Sequence, residues 1–242
     1  MIFAIHGADG RMGRAISTYH GLKEHIPTAF WELKERPFER VDLIMDFTSN
    51  EGSQALADRL LQDQKAPRAI LIGSTGLTQQ TMDTWHQVAL HHNLSVLICP
   101  NTSVGIHMLL AATKAAIETL QVTNHHRTSS PLEESGFHGM IIETHHALKK
   151  DTPSGTALAI QSALPVDLLI SSYRLGGVLG EHSIRLVGEE EEVTITHKAF
   201  SRRLFAKGAL QMASWLMENL EPGKVQVSFK DDLSKKVEMK SD

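Results

Sequence analysis

Hydrophobic and polar residues alternate in blocks along the first hundred positions of the chain. Five short apolar runs have the length of buried strands, at 2–5, 28–31, 43–47, 69–72 and 94–98. Between two of these runs, Leu56, Leu60 and Leu61 recur at helical spacing, so one face of that segment is apolar. Buried strands that alternate with amphipathic helices over short connections predict an α/β fold, with a parallel sheet wound on both faces.

The second half of the chain has a different pattern. Strand-like runs, several of them separated by glycines, occupy 140–143, 167–171, 173–175, 183–187 and 192–197. Helical periodicity marks 106–120, the segment from Ser154 to about Ala163, and 201–220. The polar segment 123–138 is expected to be an exposed loop. These elements predict a second α+β domain with a mostly antiparallel or mixed sheet.

The composition is that of an ordinary globular protein of 242 residues, 41% of them hydrophobic and 21% charged. A formal net charge of −4 argues against general binding to nucleic acid or to an anionic membrane. The single cysteine, Cys99, excludes an internal disulfide and suits a reducing compartment. No apolar run reaches the ~20 residues of a membrane span, and the N-terminus lacks a signal-peptide pattern. A cytoplasmic protein is therefore expected, with no nucleic-acid or membrane partner.

Three glycines follow the first predicted strand at once, in the spacing Gly7-x-x-Gly10-x-x-Gly13, and a helical pattern begins among them. A strand, a glycine turn and a helix are the context of dinucleotide binding, because glycines allow a tight turn and a close approach to a pyrophosphate. An ordinary glycine-rich turn has the same pattern. Small and polar residues also follow two later strands, at 73–76 and 100–103. Since ligands of parallel sheets bind at these strand ends, a Rossmann-like nucleotide site is favoured.

Glu32 ends the second predicted strand, at about the 20-residue distance from the glycines where an acidic residue binds a ribose hydroxyl. Lys34 and Arg36 are close by in sequence and would suit a 2′-phosphate instead. A solvated charged turn is the alternative for all three residues. The choice between NADH and NADPH therefore stays open.

The densest chemistry of the chain lies between positions 141 and 160. A predicted strand leads into a group of titratable residues, Glu143, His145, His146, Lys149, Lys150 and Asp151. The helix that follows begins with Thr152-Pro153-Ser154-Gly155-Thr156, in which Pro fits the first turn and Ser or Thr can cap. The first amides of a helix and its dipole favour a carboxylate, and the lysines add positive charge. This stretch is therefore a candidate site for an anionic substrate.

A nucleotide site and a His/Lys cluster together indicate hydride transfer to a carboxylated substrate. The hydride leaves negative charge on a neighbouring atom, and Lys or His can supply the proton. Two alternatives remain for the histidines. They are either structural residues at a strand end or metal ligands, together with Glu143, His182 and His197. Because adjacent histidines on a strand point to opposite faces and no spaced ligand motif is present, no metal is expected.

These motifs resemble the 4-hydroxy-tetrahydrodipicolinate reductase family, also called dihydrodipicolinate reductases. The matching segments run almost end to end: Gly7–Gly13, Asp46–Thr48, Gly73–Gly76, Asn101–Gly105, Glu143–Thr156, Gly180–His182 and Thr196–Ala206. The central pattern, Glu-x-His-His-x-x-Lys-x-Asp-x-Pro-Ser-Gly-Thr, carries most of the specificity. Its combination with that N-terminal glycine turn is typical of this family alone.

The resemblance implies a function and an organisation. It implies reduction of (2S,4S)-4-hydroxy-2,3,4,5-tetrahydrodipicolinate, a small dicarboxylate, to tetrahydrodipicolinate in lysine and diaminopimelate biosynthesis, with NADH or NADPH. The implied domains are a dinucleotide-binding (Rossmann) domain of 1–103 together with 203–242, and a substrate-binding and oligomerisation domain of 104–202. The implied assembly is a homotetramer.

The resemblance also assigns residues. His145 matches the acid/base histidine and Lys149 the proton-donating lysine, while His146, Gly155 and Thr156 match the binders of the substrate's carboxylates. The cofactor contacts fall on Gly7, Ala8, Asp9, Gly10, Arg11, Met12, Glu32, Gly73, Ser74, Thr75, Cys99, Pro100, Asn101 and Thr102. The chain departs from the family in a short 21–46 region, in Thr102 where an aromatic residue is common, and in a long 123–138 segment.

Two other functions compete with the reductase. A non-catalytic NAD(P)-binding regulator would keep the fold, but it has no need of His145, His146 and Lys149. A semialdehyde dehydrogenase with a thioester mechanism needs a nucleophilic cysteine at a helix start. Cys99 lies at a strand end and fits that role poorly.

Overall fold

The computed structural model describes residues 1–19, 29–32, 38–123, 132 and 135–228. The strands are β1 Ile2–His6, β2 Ala29–Glu32, β3 Leu43–Asp46, β4 Ala69–Ile72, β5 Ser95–Ile98, β6 His138–His145, β7 Leu169–Arg174, β8 Glu181–Val187, β9 Glu192–Lys198 and β10 Val225–Val227. The helices are α1 Arg11–Ser17, α2 Asn50–Gln62, α3 Gln79–His92, α4 Val104–Thr123, α5 Gly155–Ala163 and α6 Arg203–Glu218. These elements divide into two compact units, one drawn from 1–103 and 203–242 and the other from 104–202.

The first unit is built on a parallel sheet, which within the described ranges has six strands in the order β10-β5-β4-β3-β1-β2. The chain starts at β1, next to the edge strand β2, and adds β3, β4, β5 and β10 in turn on the other side of β1. The direction of winding therefore reverses beside β1, which is where parallel sheets open a crevice for ligands. The expected doubly wound parallel sheet is confirmed.

Alternating side chains of the strands send apolar groups to both faces of this sheet. On one face Ile44 and Ile70 pack with α2 and α3, whose Leu60 and Trp85 are fully buried. On the other face Phe3, Met45 and Leu71 pack with α1 and α6. Both α2 and α3 begin as the sequence indicates, because Ser49 accepts the amide of Gly52 at 3.3 Å and Thr78 accepts that of Thr81 at 3.3 Å.

Helix α6 approaches the loop after β5 at one glycine. A Cβ on Gly208 would lie 1.6 Å from the carbonyl oxygen of Thr102, so only a glycine allows this distance. The hydroxyl of Thr102 donates a hydrogen bond of 2.8 Å to the carbonyl of Phe205, one turn earlier in the same helix. The C-terminal helix is therefore packed directly on a loop of the N-terminal sheet.

The second unit has a mixed sheet of four described strands in the order β7-β6-β8-β9. Strands β6 and β7 run parallel, whereas β8 is antiparallel to both β6 and β9. Helix α5 packs on β6 and helix α4 on β9. The predicted α+β domain with a mixed sheet is confirmed.

Several expected elements have other bounds in the structure, and some expectations concern residues that the structure does not describe. The runs expected at 167–171 and 173–175 are one strand, β7, because its parallel pairing with β6 continues through both. The final helix begins at Arg203 and ends at Glu218, slightly inside the expected 201–220. The expected exposed loop 123–138 is wrong at three described positions, because Thr123 ends α4, Leu132 is buried and His138 begins β6. Other expectations fall outside the described residues: Lys34 and Arg36, position 28 of the second strand, most of the rest of 123–138, and the tail beyond 228.

We predict that Gly208→Ala destabilises the first unit by roughly 1–3 kcal/mol, because the added methyl overlaps the Thr102 carbonyl and forces the helix away. The melting temperature, followed by circular dichroism, is the measurement. Gly177→Ala is the control, since Gly177 is exposed and nothing lies within 4 Å of its ideal Cβ. Equal melting temperatures for the two variants would contradict the close approach.

Candidate active site

The candidate cofactor segments all begin at one edge of the parallel sheet. The strand register joins His6 to Asp46, Asp46 to Ile72, and Ile72 to Ile98, so the last residues of β1, β3, β4 and β5 form one row. The segments that begin with Gly7, Gly73 and Cys99 each follow this row by one residue. Since parallel sheets bind ligands at their carboxyl ends, these segments occupy the expected edge.

The glycine turn has geometry that side chains would disrupt. Gly7 has φ +87°, and a Cβ there would lie 2.9 Å from the carbonyl oxygen of Phe47. A Cβ on Gly13 would lie 2.3 Å from the carbonyl oxygen of Gly7, and the amide of Gly10 donates to that same oxygen at 3.0 Å. Gly7 and Gly13 thus let strand, turn and helix meet closely, while Asp9, Gly10 and Arg11 are exposed at the tip. This bare backbone fits a dinucleotide pyrophosphate.

The neighbouring strand ends are held by a small polar network. Asp46 is fully buried, and its Oδ1 accepts the amide of Thr48 at 3.1 Å and the hydroxyl of Thr48 at 2.6 Å. The hydroxyl of Ser74 accepts the same Thr48 amide at 3.0 Å. A Cβ on Gly73 would lie 2.0 Å from the ring of Phe47, so Gly73 makes room for that ring. The loops after β3 and β4 are therefore tied to each other.

The side chains of the segment after β5 point into the protein. Cys99 is completely buried, and burial raises the pKa of its thiol to about 11, so the thiol is a poor nucleophile. Asn101 accepts the amide of Ser103 at 2.9 Å, and Thr102 is 3% exposed. Contacts from Cys99, Asn101 and Thr102 to a ligand would therefore come mainly from their backbone. Glu32 lies beside Ile5 at the end of β2, and its side chain is outside the description.

A row of polar residues crosses the mixed sheet of the second unit. Ser172 of β7, Glu143 of β6, His182 of β8 and His197 of β9 are register partners in turn. His145, two residues after Glu143, lies on the same face and pairs with Arg174 of β7. The strand period of two and the register thus bring together residues that are far apart in sequence.

Glu143 is the centre of this cluster and has no exposed surface. Its Oε1 accepts the Nη2 of Arg174 at 2.9 Å and the amide of Ser154 at 3.1 Å, while its Oε2 accepts Nη1 of Arg174 at 3.1 Å and contacts Nδ1 of His145. Burial alone would raise the pKa of the carboxyl group. The interactions with Arg174, Ser172 and His145 outweigh it and lower the pKa to about 2. Glu143 is therefore a buried, ionised carboxylate.

Both buried histidines of the cluster are held uncharged at neutral pH. Burial lowers the pKa of His145 and outweighs the opposite effect of Glu143, with Lys149 and Arg174 lowering the pKa further. Burial, and repulsion by His145 whenever that ring is protonated, lower the pKa of His182 to about 3. The two rings meet edge to face, with centroids 5.1 Å apart. Of the two, His145 has the partner and the position to exchange a proton.

The loop between β6 and α5 carries the cations and the helix start. The Nζ atom of Lys149 lies 2.8 Å from a carboxylate oxygen of Asp151, and Lys149 is close enough to His145 to affect its pKa. Ser154 caps α5 by accepting the amide of Ala157 at 3.2 Å. The amide of Gly155 donates to Asp151 at 3.4 Å. Asp151 therefore contacts both Lys149 and Gly155, two groups expected to meet a substrate carboxylate.

The structure brings His145, Lys149 and Gly155 into one unit, on or beside the end of β6. His146 follows the strand and is half-buried, as is Thr156 on the first turn of α5. Arg174 was not predicted from the sequence, and Glu143 was expected only as a member of the titratable group and as a possible metal ligand. Only the pairing of β6 with β7 reveals both, since Arg174 is 31 residues from Glu143.

Two kinds of feature are absent from the residues that the structure describes. No group of three or more His, Cys, Asp or Glu side chains is arranged to hold a metal ion within those ranges. None of the helices among them has the length and apolar character needed to cross a membrane.

A parallel sheet with glycine turns at its carboxyl edge and a second unit that holds a His/Glu/Lys cluster are the parts that a dinucleotide-dependent oxidoreductase needs. Comparison with known families makes this specific. Residues 18–102 match the family model "Dihydrodipicolinate reductase, N-terminus" and residues 105–231 match "Dihydrodipicolinate reductase, C-terminus". The chain belongs to the dihydrodipicolinate reductase family, as its motifs predict.

Similar proteins extend along most of the chain. A 4-hydroxy-tetrahydrodipicolinate reductase of Chlamydia trachomatis is 31% identical over 236 residues, covering 90% of this chain and 87% of the relative. One of Thermosipho africanus is 31% identical over 220 residues, covering 90% and 92%. The solved structure of a dipicolinate-bound dihydrodipicolinate reductase from Paenisporosarcina sp. TG-14 superposes with a TM-score of 0.65 at 18% identity, covering 95% of this chain and 98% of that one. This last likeness supports the fold.

We predict that Glu143 makes folding stability depend on pH in acid. Its pKa is about 2 in the folded protein and about 4.5 ordinarily, so its stabilisation is complete above pH 4.5 and is lost as the pH falls towards 2. Glu143→Gln should melt at a lower temperature than wild type at pH 7, and the two melting temperatures should converge in acid. Exposed Glu190→Gln is the control. A difference that stays constant from pH 7 to pH 2.5 would contradict the ionised pair.

Proposed function

We propose that the chain catalyses the NAD(P)H-dependent reduction of (2S,4S)-4-hydroxy-2,3,4,5-tetrahydrodipicolinate to (S)-2,3,4,5-tetrahydrodipicolinate, a step of lysine and diaminopimelate biosynthesis. The observation that carries this proposal is the buried Glu143–His145 contact beside Lys149, on the strand that leads to the start of α5. An acid/base group, a cation and helix amides in one loop suit reduction of a dicarboxylate. The relatives named above carry this substrate in their names.

The chemistry requires a proton as well as a hydride. The 4-hydroxyl group leaves as water together with a proton from C5, which forms a C4=C5 double bond conjugated with the C=N bond of the ring. The hydride then adds to C4, and a proton returns to C5. A bound nicotinamide supplies the hydride. The protein's own task is to hold the two carboxylates and to deliver the proton at the ring, and we assign proton transfer to His145 and Lys149.

Substrate binding falls to the start of α5. We assign the carboxylates of the substrate to His146, Gly155 and Thr156, with Lys149 as the neighbouring charge. In the structure Asp151 contacts Lys149 at 2.8 Å and Gly155 at 3.4 Å. A substrate carboxylate that binds Lys149 and Gly155 takes over the two contacts that Asp151 makes. Lys149 then points toward the ligand instead of toward Asp151.

The first unit is assigned to the dinucleotide. Its exposed turn tip and strand-end loops would hold the cofactor through backbone amides, with the residues Gly7, Ala8, Asp9, Gly10, Arg11, Met12, Gly73, Ser74, Thr75, Cys99, Pro100, Asn101 and Thr102. We assign the ribose hydroxyls to Glu32. NADH and NADPH are both proposed as donors.

The second unit is also assigned to assembly, as a cytoplasmic homotetramer. On the sheet face opposite the His/Glu row, Leu169 is 77% exposed and Tyr173 56% exposed, and the less exposed Met140 and Ile142 lie beside them. An exposed apolar sheet face is a frequent subunit interface. Light scattering that gives a single 26.8 kDa chain would overturn the assembly.

The function is tested by loss of nicotinamide absorbance, with NADH and NADPH in parallel. The substrate is made in place from pyruvate and aspartate semialdehyde by a synthase. Consumption that requires the synthase supports the reductase and ranks the two cofactors. Cofactor binding without consumption would overturn it and would favour the alternative, a non-catalytic NAD(P)-binding regulator.

We predict that Lys149→Ala lowers kcat at least ~100-fold while the Kd of the cofactor stays within about twofold, because the lysine acts on the substrate proton and not on the dinucleotide. Steady-state kinetics and fluorescence titration with NADPH measure the two quantities. The neighbouring, exposed Lys150→Ala is the matched control and should keep its turnover. Turnover of Lys149→Ala close to wild type would remove this lysine from the reaction.

We predict that Thr156→Val mainly raises the KM of the substrate, by roughly 10-fold, because a hydroxyl that binds a carboxylate is replaced by a methyl of similar size. Ser162→Ala, at the exposed far end of the same helix, is the control. A change in cofactor affinity alone would contradict the assignment of Thr156 to the substrate.

A further inference from the structure

The contacts of Glu143 go beyond what a buried ion pair needs. Arg174 bonds both of its oxygens, at 2.9 and 3.1 Å, which is the two-point geometry that fixes a carboxylate plane. The remaining contacts come from Ser154, which caps α5, and from Nδ1 of His145. The carboxylate that contacts the histidine therefore cannot rotate without breaking an ion pair.

The contact between Glu143 and Nδ1 determines which ring nitrogen of His145 can accept a proton. An ionised carboxylate only accepts hydrogen bonds, so Nδ1 must carry the hydrogen and the lone pair of the neutral ring lies on Nε2. A Cβ on Gly180 would lie 3.2 Å from Nε2, so glycine leaves space on that side of the ring. Among the described residues, no hydrogen bond engages Nε2. This nitrogen is the one available to a substrate.

The same carboxylate creates an electrostatic problem. A lone Glu next to an imidazole stabilises the imidazolium, and a permanently charged histidine could not accept a proton. Burial of the ring is the largest cause that opposes this effect, and the positive charge of Arg174, held beside Glu143, acts in the same direction. The other groups facing His145 are Lys149, which also disfavours the charged ring, and His182, which is uncharged at neutral pH. Asp151, paired with Lys149, partly offsets the lysine.

We propose that Glu143 and Arg174 act as a positioning pair for His145: Glu143 fixes the tautomer and direction of the ring, and Arg174 offsets the charge of Glu143 so that the ring can release a proton again after taking one up. The inference rests on the proposed function, because reduction of the substrate requires a proton at this site. It adds two residues that touch neither substrate nor cofactor. Both act through His145.

The test is the titration of His145, followed by the 13C-labelled Cε1 signal in NMR and assigned with His145→Asn. Arg174→Gln removes the positive charge and keeps Glu143, so the pKa of His145 should rise by about one pH unit or more. Glu143→Gln removes the negative charge and keeps Arg174, so the pKa of His145 should fall. Opposite shifts from two partners of one ion pair are not produced by loosened packing. Shifts of the same sign, or no shifts, would overturn the proposal.

Two further variants keep the test decisive. Arg185→Gln removes a similar two-point arginine, paired with Glu192 on the opposite face of the same sheet, and should leave the titration of His145 unchanged. Arg174→Lys retains the charge and should titrate close to wild type. Should Glu143→Gln fail to fold, a raised pKa in Arg174→Gln with a normal pKa in Arg174→Lys supports the pair. Equal titrations in those two variants contradict it.

Kinetics separate this proposal from the function on which it rests. In Arg174→Gln the pH dependence of kcat should move in the same direction as the pKa of His145, while the KM of the cofactor stays constant. The titration needs no substrate. A wild-type protein without reductase activity would therefore refute the function, and the NMR shifts would still decide whether Glu143 and Arg174 control the histidine.

Discussion

The second unit depends on the burial of one carboxylate. Glu143 has no exposed surface, and an unpaired charge in that position would cost several kcal/mol. Its partners come from three different segments: His145 on its own strand, Arg174 on β7, and the amide of Ser154 at the start of α5. Because one carboxylate satisfies all three, the strand order, the helix start and the orientation of the histidine are determined together. The candidate chemistry is thus part of what stabilises the unit.

The first unit depends on close approaches of its backbone, whereas the second depends on a buried charge. Its strand ends share one row, and in the turns beyond that row a Cβ added to a glycine would lie only 2–3 Å from a neighbouring atom. Gly7, Gly13 and Gly73 remove those side chains, and Gly208 does the same where α6 crosses the loop after β5. The result is a sheet edge with closely packed turns, at which the turn tip of Asp9, Gly10 and Arg11 is exposed. Such an edge recognises phosphate by hydrogen bonding and leaves specificity to the few side chains around it.

Much of this arrangement is readable from local pattern. The glycine spacing, the apolar strands and the Ser or Thr residues before α2, α3 and α5 are signals within a few residues of each other, and each predicts its element correctly. Arg174 could not be found in this way, because it meets Glu143 only through the parallel register of β6 and β7. The prediction of two separate runs where β7 is one strand was wrong for the same reason, since local pattern does not show the pairing with β6. Pairing with a distant strand outweighs the local breaks in hydrophobicity.

The burial of Cys99 has a practical consequence. The chain has one cysteine, and this thiol is inaccessible and has a pKa of about 11, so it reacts slowly with maleimides and with oxidants. The native cysteine therefore does not need to be removed before a single site is labelled through an introduced cysteine. A cysteine introduced at Leu148, which is 87% exposed on the loop beside Lys149, would carry the only reactive thiol. A fluorophore attached there would report on that loop during turnover, in a protein otherwise unchanged.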